Sequence, residues 1–292
     1  AIIYPVILAD RLEVLVNIDD QVYQFVQSIS ASALEQLAND FRYNLELDQG
    51  DDEYKALGEE LHELVFADVE PLLREKSVET LLVIPDGILR TIPFSAFFDG
   101  DQYMIEKYSI ATTPGISLTF PKRLDVQEAT LFAGGISHSV QGFSSLPGVP
   151  GELDKLQDQH GAQILHNEEF QRSTIEAQLS SEQYSIVHIA THGHFDSNPQ
   201  QSYLLTYDGK LTMDLLEQSI GSRQQTGNTL DLLVLSACET AVGDNRAALG
   251  LAGVALKAGA RSAVASLWQI SDAATVLIIG SFYDHAAKDH IS

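Results

Sequence analysis

The second half of the chain alternates short apolar runs with helical patterns, and that alternation limits the folds open to it. Short apolar runs read as strands over Thr130–Gly134 (TLFAG), Ala162–His166, Ser185–His192 (SIVHIATH), Leu232–Ser236 (LLVLS) and Ser262–Leu267 (SAVASL). Helical patterns separate or follow them over Glu152–Gln159, Ser173–Leu179, Met213–Ile220, Ala247–Ala258 and Asp272–Tyr283, with Gly259 placed to close the fourth. Strands that alternate with helices need crossovers, and crossovers are right-handed, so the expected class is α/β with a mostly parallel sheet flanked by helices. The runs are nearly continuous in apolar residues, which fits burial on both sheet faces. A polar hairpin is expected around Asp208–Gly209, and a Gln- and Gly-rich loop over Gly221–Thr229.

The first half reads differently. Ile2–Leu8 and Leu12–Ile18 flank Ala9–Asp10–Arg11 as a hairpin. From Gln21 to about Leu73 the pattern is helical, with Leu34, Leu37, Ala38 and Phe41 on one face and Leu57, Leu61, Leu64 and Val65 on another. The acidic stretch Asp48–Glu53 between them reads as a solvated loop. Thr80–Ile84 reads as a strand stopped by Pro85–Asp86–Gly87, and Ser109–Thr113 as another. Composition turns polar at Pro121–Gln127, so two parts are expected, residues 1–125 and 126–292. The chain starts at Ala1 inside an apolar run and stops just past an amphipathic stretch, which suggests a domain excised from a longer protein.

Composition narrows the function classes. With 45% hydrophobic residues the chain can build a core, which excludes a disordered segment. Lys and Arg number 17 against 41 Asp and Glu, a net charge of −24. That argues against nucleic acid as a partner, because phosphate contacts need cations, and it favours basic protein segments. No apolar run reaches the ~20 residues of a membrane span, and no basic segment opens a signal peptide. The single cysteine, Cys238, rules out an internal disulfide and suits a reducing, cytoplasmic setting.

Two of the expected strands end in reactive side chains. One runs into Thr191–His192–Gly193, the other into Ala237–Cys238–Glu239. Open α/β sheets place ligands at the carboxyl ends of their strands, so neighbouring strands would bring His192 and Cys238 to one edge. An imidazole beside a thiol is a base–nucleophile pair. The backbone N–H groups of Gly193 and Cys238 would face a substrate carbonyl as an oxyanion hole. The competing reading of Cys238 is a small buried hydrophobe. His188 shares a strand face with His192 and reads as a core histidine; His194 reads as an exposed turn residue. Asp196 or Glu239 could orient His192. A metal reading uses His192, His194 and Asp196 as H-x-H-x-D, with only His285 and His290 as further downstream histidines. Gly134–Gly135 lacks the spacing of a phosphate-binding loop, so no cofactor is expected. The acidic Asp48–Glu53 loop could bind a calcium ion weakly, beside its reading as a solvated loop.

The motifs together resemble the CHAT peptidase family, relatives of caspases, gingipains and separase. The resemblance rests on ATHG and LSACET, on Leu81–Phe97 (LLVIPDGILRTIPFSAF), on Leu146–Leu156 (LPGVPGELDKL) and on Gly250–Thr275. It implies a caspase-like fold with an N-terminal pseudo-caspase half and a catalytic half. It also implies a cysteine endopeptidase with a His192–Cys238 dyad acting on selected protein targets. In related proteases the segment Ser266–Asp272 lines the pocket for the residue before the cut. Trp268 would then be a wall and Asp272 an attraction for a basic side chain. Asp272 also reads as a helix N-cap. CHAT domains commonly follow helical repeats, which implies a regulatory partner or upstream repeat domain and latency until activation. A catalytically silent interaction module on the same fold is the alternative.

Overall fold

The computed structural model describes residues 1–47, 51–115, 126, 128–181, 183–194, 201–224, 229–236, 259–266 and 272–288. The chain divides into two compact units, Ala1–Thr119 and Phe120–Ser292.

In the first unit, strands β1 (Ile2–Ile7), β2 (Leu12–Ile18) and β3 (Gln21–Gln27) form an antiparallel meander. Strands β4 (Thr80–Val83) and β5 (Ser109–Thr112) add in parallel, giving the order β3-β2-β1-β4-β5. The β2–β3 turn is made by Asp19 and Asp20, both at positive φ (51° and 62°). Two such residues match the twist of a tight hairpin, and Asp tolerates that conformation. Gln21–Gln27 is therefore a strand, not the start of the helical stretch that the pattern suggested. Its period is two: Tyr23, Phe25 and Gln27 are half-buried, while Val22, Gln24 and Val26 are exposed. The helix α1 begins at Ala31 and runs to Leu47, with the Ser30 hydroxyl accepting the Ala33 N–H at 3.2 Å. Its Leu34, Leu37, Ala38 and Phe41 are buried with Leu12, Val14, Val16 and Ile18 of β2. Helix α2 starts at Asp51 and ends at His62, so Asp51–Glu53 open a helix instead of closing a loop. Acidic residues favour the positive end of a helix dipole. Helices α3 (Glu70–Glu75) and α4 (Met104–Lys107) complete this unit.

The second unit carries the expected parallel sheet. Its strands are β6 (Leu131–Gly135), β7 (Gln163–His166), β8 (Ile186–Ala190), β12 (Leu232–Ser236) and β13 (Ser262–Ala265), in the order β13-β12-β8-β6-β7, every pair parallel. Residue parity assigns the two faces. Phe132, Val187, Ile189, Leu233 and Leu235 pack with helices α6 (Arg172–Ser180) and α7 (Met213–Gln224). Leu131, Ala133, Ile186, Leu232 and Val234 pack with α5 (Val149–His160) and α8 (Asp272–Lys288). Every residue of β6 and β8 is buried, as strands covered on both faces require. Gly161, at φ 64°, ends α5, and the Ala162 N–H reaches back to the Leu156 carbonyl at 3.2 Å. The polar hairpin forms as β10 (Tyr203–Thr206) and β11 (Gly209–Thr212), joined to β9 (Gly193–His194) as a small antiparallel sheet. Helix α7 extends to Gln224, further than the pattern suggested. The expected helix Ala247–Ala258 lies outside the described residues.

Among the described residues, no helix is long and apolar enough to cross a membrane.

Candidate active site at the carboxyl edge of the parallel sheet

Strands β8 and β12 are hydrogen-bonded neighbours in exact step. Ile186 pairs with Leu232 and Ala190 with Ser236, so both strands end level. Just past that edge, Thr191 is buried and clamped. Its N–H donates to the Ser236 carbonyl at 3.2 Å, and its hydroxyl donates to the Leu205 carbonyl at 2.9 Å. The clamp joins the end of β8 to the end of β12 and to β10, and it fixes where the next residue leaves the sheet.

That residue is His192. Its Nε2 lies 2.8 Å from the Ser144 carbonyl. A carbonyl can only accept, so the bond assigns the proton to Nε2 and leaves Nδ1 as the basic nitrogen. The Phe143 ring packs on the imidazole with centroids 5.2 Å apart and planes at 34°. The His192 carbonyl accepts the Leu205 N–H at 2.8 Å. Backbone and ring are thus held separately, which limits the ways the imidazole can turn.

Gly193 is buried and pairs with Leu204 of β10. Because His192 and Leu205 form the hydrogen-bonded step of this ladder, the next step turns the Gly193 N–H away from β10. His194 pairs with Tyr203, and their rings lie 5.6 Å apart. The Lys210 ammonium sits 3.7 Å from the Tyr203 ring centre, a cation–π contact. His194 is therefore a strand residue, not a turn residue.

Beneath the edge His188 is the core histidine that the pattern suggests, and it sits in a buried polar group whose other members, Glu152, Ser236 and Tyr283, are not marked as site residues by the pattern. His188 is fully buried on the α5/α8 face, and its Nε2 lies 3.0 Å from Glu152 Oε1, outside hydrogen-bond alignment. Its Nδ1 is 3.4 Å from the Tyr283 hydroxyl. The Ser236 hydroxyl donates to Glu152 Oε2 at 3.3 Å. Burial, reinforced by the Glu152 charge, pushes the Tyr283 hydroxyl well above its usual range, so it stays protonated and can donate to His188. Glu152 thus links the strand that leads to His192 with the strand that leads to Cys238. One signal for it was present: Glu152 falls on the apolar stripe of Val149, Leu153 and Leu156, all buried in α5. Replacing Glu152 with Ala is expected to cost about 2–3 kcal/mol, because it leaves His188 and Ser236 facing an emptied site. Urea unfolding monitored by circular dichroism checks this, with a smaller loss expected for Glu152→Gln.

Cys238, Glu239, Asp196 and Trp268 lie outside the described residues. Asp272 opens α8, and its side chain is likewise outside them. Of the acidic calcium candidate, Asp51–Glu53 form the first turn of α2. Among the described residues, no group of three or more His, Cys, Asp or Glu is placed to hold a metal ion.

A parallel sheet with helices on both faces, and a histidine leaving the carboxyl end of a central strand, is a caspase-like α/β arrangement. The model of the CHAT domain family matches residues 55–292, and the chain belongs to that family. No curated protein matches the chain.

Proposed function

We propose that the chain is a cysteine endopeptidase of the caspase and separase type, with His192 as base and Cys238 as nucleophile. The observation that carries the reading is the register of β8 and β12. Ala190 and Ser236 end level, and His192 and Cys238 each stand two positions further along the sequence.

In the proposed reaction Nδ1 of His192 takes the thiol proton as sulfur attacks the carbonyl carbon of the scissile peptide. The N–H groups of Gly193 and Cys238 receive the charge that develops on the carbonyl oxygen. Collapse of this tetrahedral species breaks the C–N bond, and the imidazolium returns its proton to the leaving amine. Water, deprotonated by His192, then hydrolyses the thioester and restores the thiol. Trp268 and Asp272 are proposed to form the pocket for the residue before the cut, with Asp272 favouring Lys or Arg. The chain's acidic balance suits basic target segments. Residues 1–125 are proposed as the pseudo-protease half and 126–292 as the catalytic half. A regulatory protein or an upstream repeat domain would release a latent site, in a cytoplasmic setting that keeps the thiol reduced.

The rate of iodoacetamide alkylation tests the reading. An activated Cys238 is expected to react about tenfold faster at neutral pH than free cysteine. A thiol that stays inert in the native protein would instead favour a silent interaction module on the same fold.

A further inference from the structure

The chain has several sheet edges, and one differs from the rest. Strand β3 is seven residues long, whereas the other edge strands of the two five-stranded sheets, β5, β7 and β13, have four each. Among the described residues no strand pairs with its outer side. Proteins protect such edges with Lys, Pro, bulges or brevity. The sequence of β3, Gln21-Val22-Tyr23-Gln24-Phe25-Val26-Gln27, contains no charge and no proline. Val22 and Val26 are 66% and 51% exposed, among the most exposed large apolar side chains described.

The strand is also close to a palindrome about Gln24. Laid antiparallel on a second copy, Gln21 meets Gln27, Val22 meets Val26, Tyr23 meets Phe25, and Gln24 meets its own counterpart. A two-fold interface requires this self-complementarity, because residue i meets j while j meets i. Both faces of the pair match. On the exposed face each Val22 covers a Val26; on the other, Tyr23 and Phe25, which already pack against the first unit's core, extend an aromatic row. Charge within the strand does not oppose this occupant. In a chain of net charge −24 two copies generally repel, yet this seam brings no charged strand residue against another.

We infer that β3 is a self-association edge, through which two copies join their five-stranded sheets into one continuous sheet. Seven residue pairs bury less than the ~1,200 Å² of a standard interface, so the dimer is weak and concentration-dependent. The inference stands apart from the proteolytic reading.

Single-cysteine variants of the full chain test the register in a Cys238→Ser background. Paired residues at the two-fold lie about 4.5–5.5 Å apart at Cα, within disulfide reach. Gln24→Cys is expected to cross-link into a dimer under mild oxidation. Val22→Cys, whose counterpart would sit four residues along the seam, is expected not to. Sedimentation equilibrium gives a second readout: Val22→Lys with Val26→Lys places like charges opposite and should raise the dimer dissociation constant about tenfold or more. Mixing that variant with Val22→Glu/Val26→Glu should restore association. A chain that stays monomeric at near-millimolar concentration, or equal cross-linking of both cysteine variants, would overturn the inference. The first result would leave the edge to a strand from another protein.

Discussion

Replacing Cys238 with Ala is expected to lower peptide cleavage by roughly a thousandfold or more while leaving the circular dichroism spectrum unchanged. The size follows from the role proposed for the thiol. It supplies the bond-forming electron pair, and alanine offers no substitute. The background that remains would come from backbone N–H groups and substrate binding alone. Base and nucleophile act as one unit, so His192→Ala should fall to a similar level, and the double variant should be little worse than either single one. Cleavage rates on a basic-residue peptide library, with activator present, check this. Cleavage retained by Cys238→Ala would point to another nucleophile.

The second large effect concerns stability. A Cβ built on Gly135 would lie 2.2 Å from the Ala190 carbonyl oxygen and 3.0 Å from Val149 Cγ1. The obstructing atom is backbone, and that same oxygen accepts the Ile136 N–H at 3.0 Å. Neither side can move without separating β6 from β8 at the edge that carries His192. Gly135→Ala is therefore expected to destabilise the protein by about 3 kcal/mol. For a unit of this size that lowers the melting temperature by about 6–12 °C. Gly151 provides the control. It sits in the first turn of α5 with nothing within 4 Å of a built Cβ, so Gly151→Ala should be neutral or slightly stabilising. Equal melting temperatures for the two variants would mean that β6 and β8 do not approach as closely as described.

What the sequence could reveal follows from the range of the forces involved. The parallel sheet was legible because SIVHIATH and LLVLS are short apolar runs, buried on both faces, and that burial is written locally in each run. The neighbouring positions of β8 and β12 were expected only conditionally; the register supplies the level strand ends. Strand β3 reads as helix because Gln21, Gln24 and Gln27 recur every third position, close to a helical turn, just before a true helix. What decides its state is the Asp19–Asp20 turn, which folds it back on β2. The start of α2 is ambiguous in sequence, since three acidic residues suit both a solvated loop and a helix N-terminus. Glu152 was illegible as a site residue because its partners, His188, Ser236 and Tyr283, come from three distant elements. A carboxylate is buried only where such partners meet it. The clamp from Thr191 to Leu205 and Ser236 depends in the same way on contacts that no local pattern carries.

In the proposed dyad His192 activates Cys238. The pH dependence of Cys238 alkylation, measured for the native protein and for His192→Ala, tests it most directly. A thiol paired with an imidazole is expected to react at a nearly constant rate between about pH 6 and pH 8. In His192→Ala the rate should fall at neutral pH and rise about tenfold per unit toward the ordinary thiol range near pH 8.5. Identical profiles for the two proteins, both rising like free cysteine, would contradict the dyad.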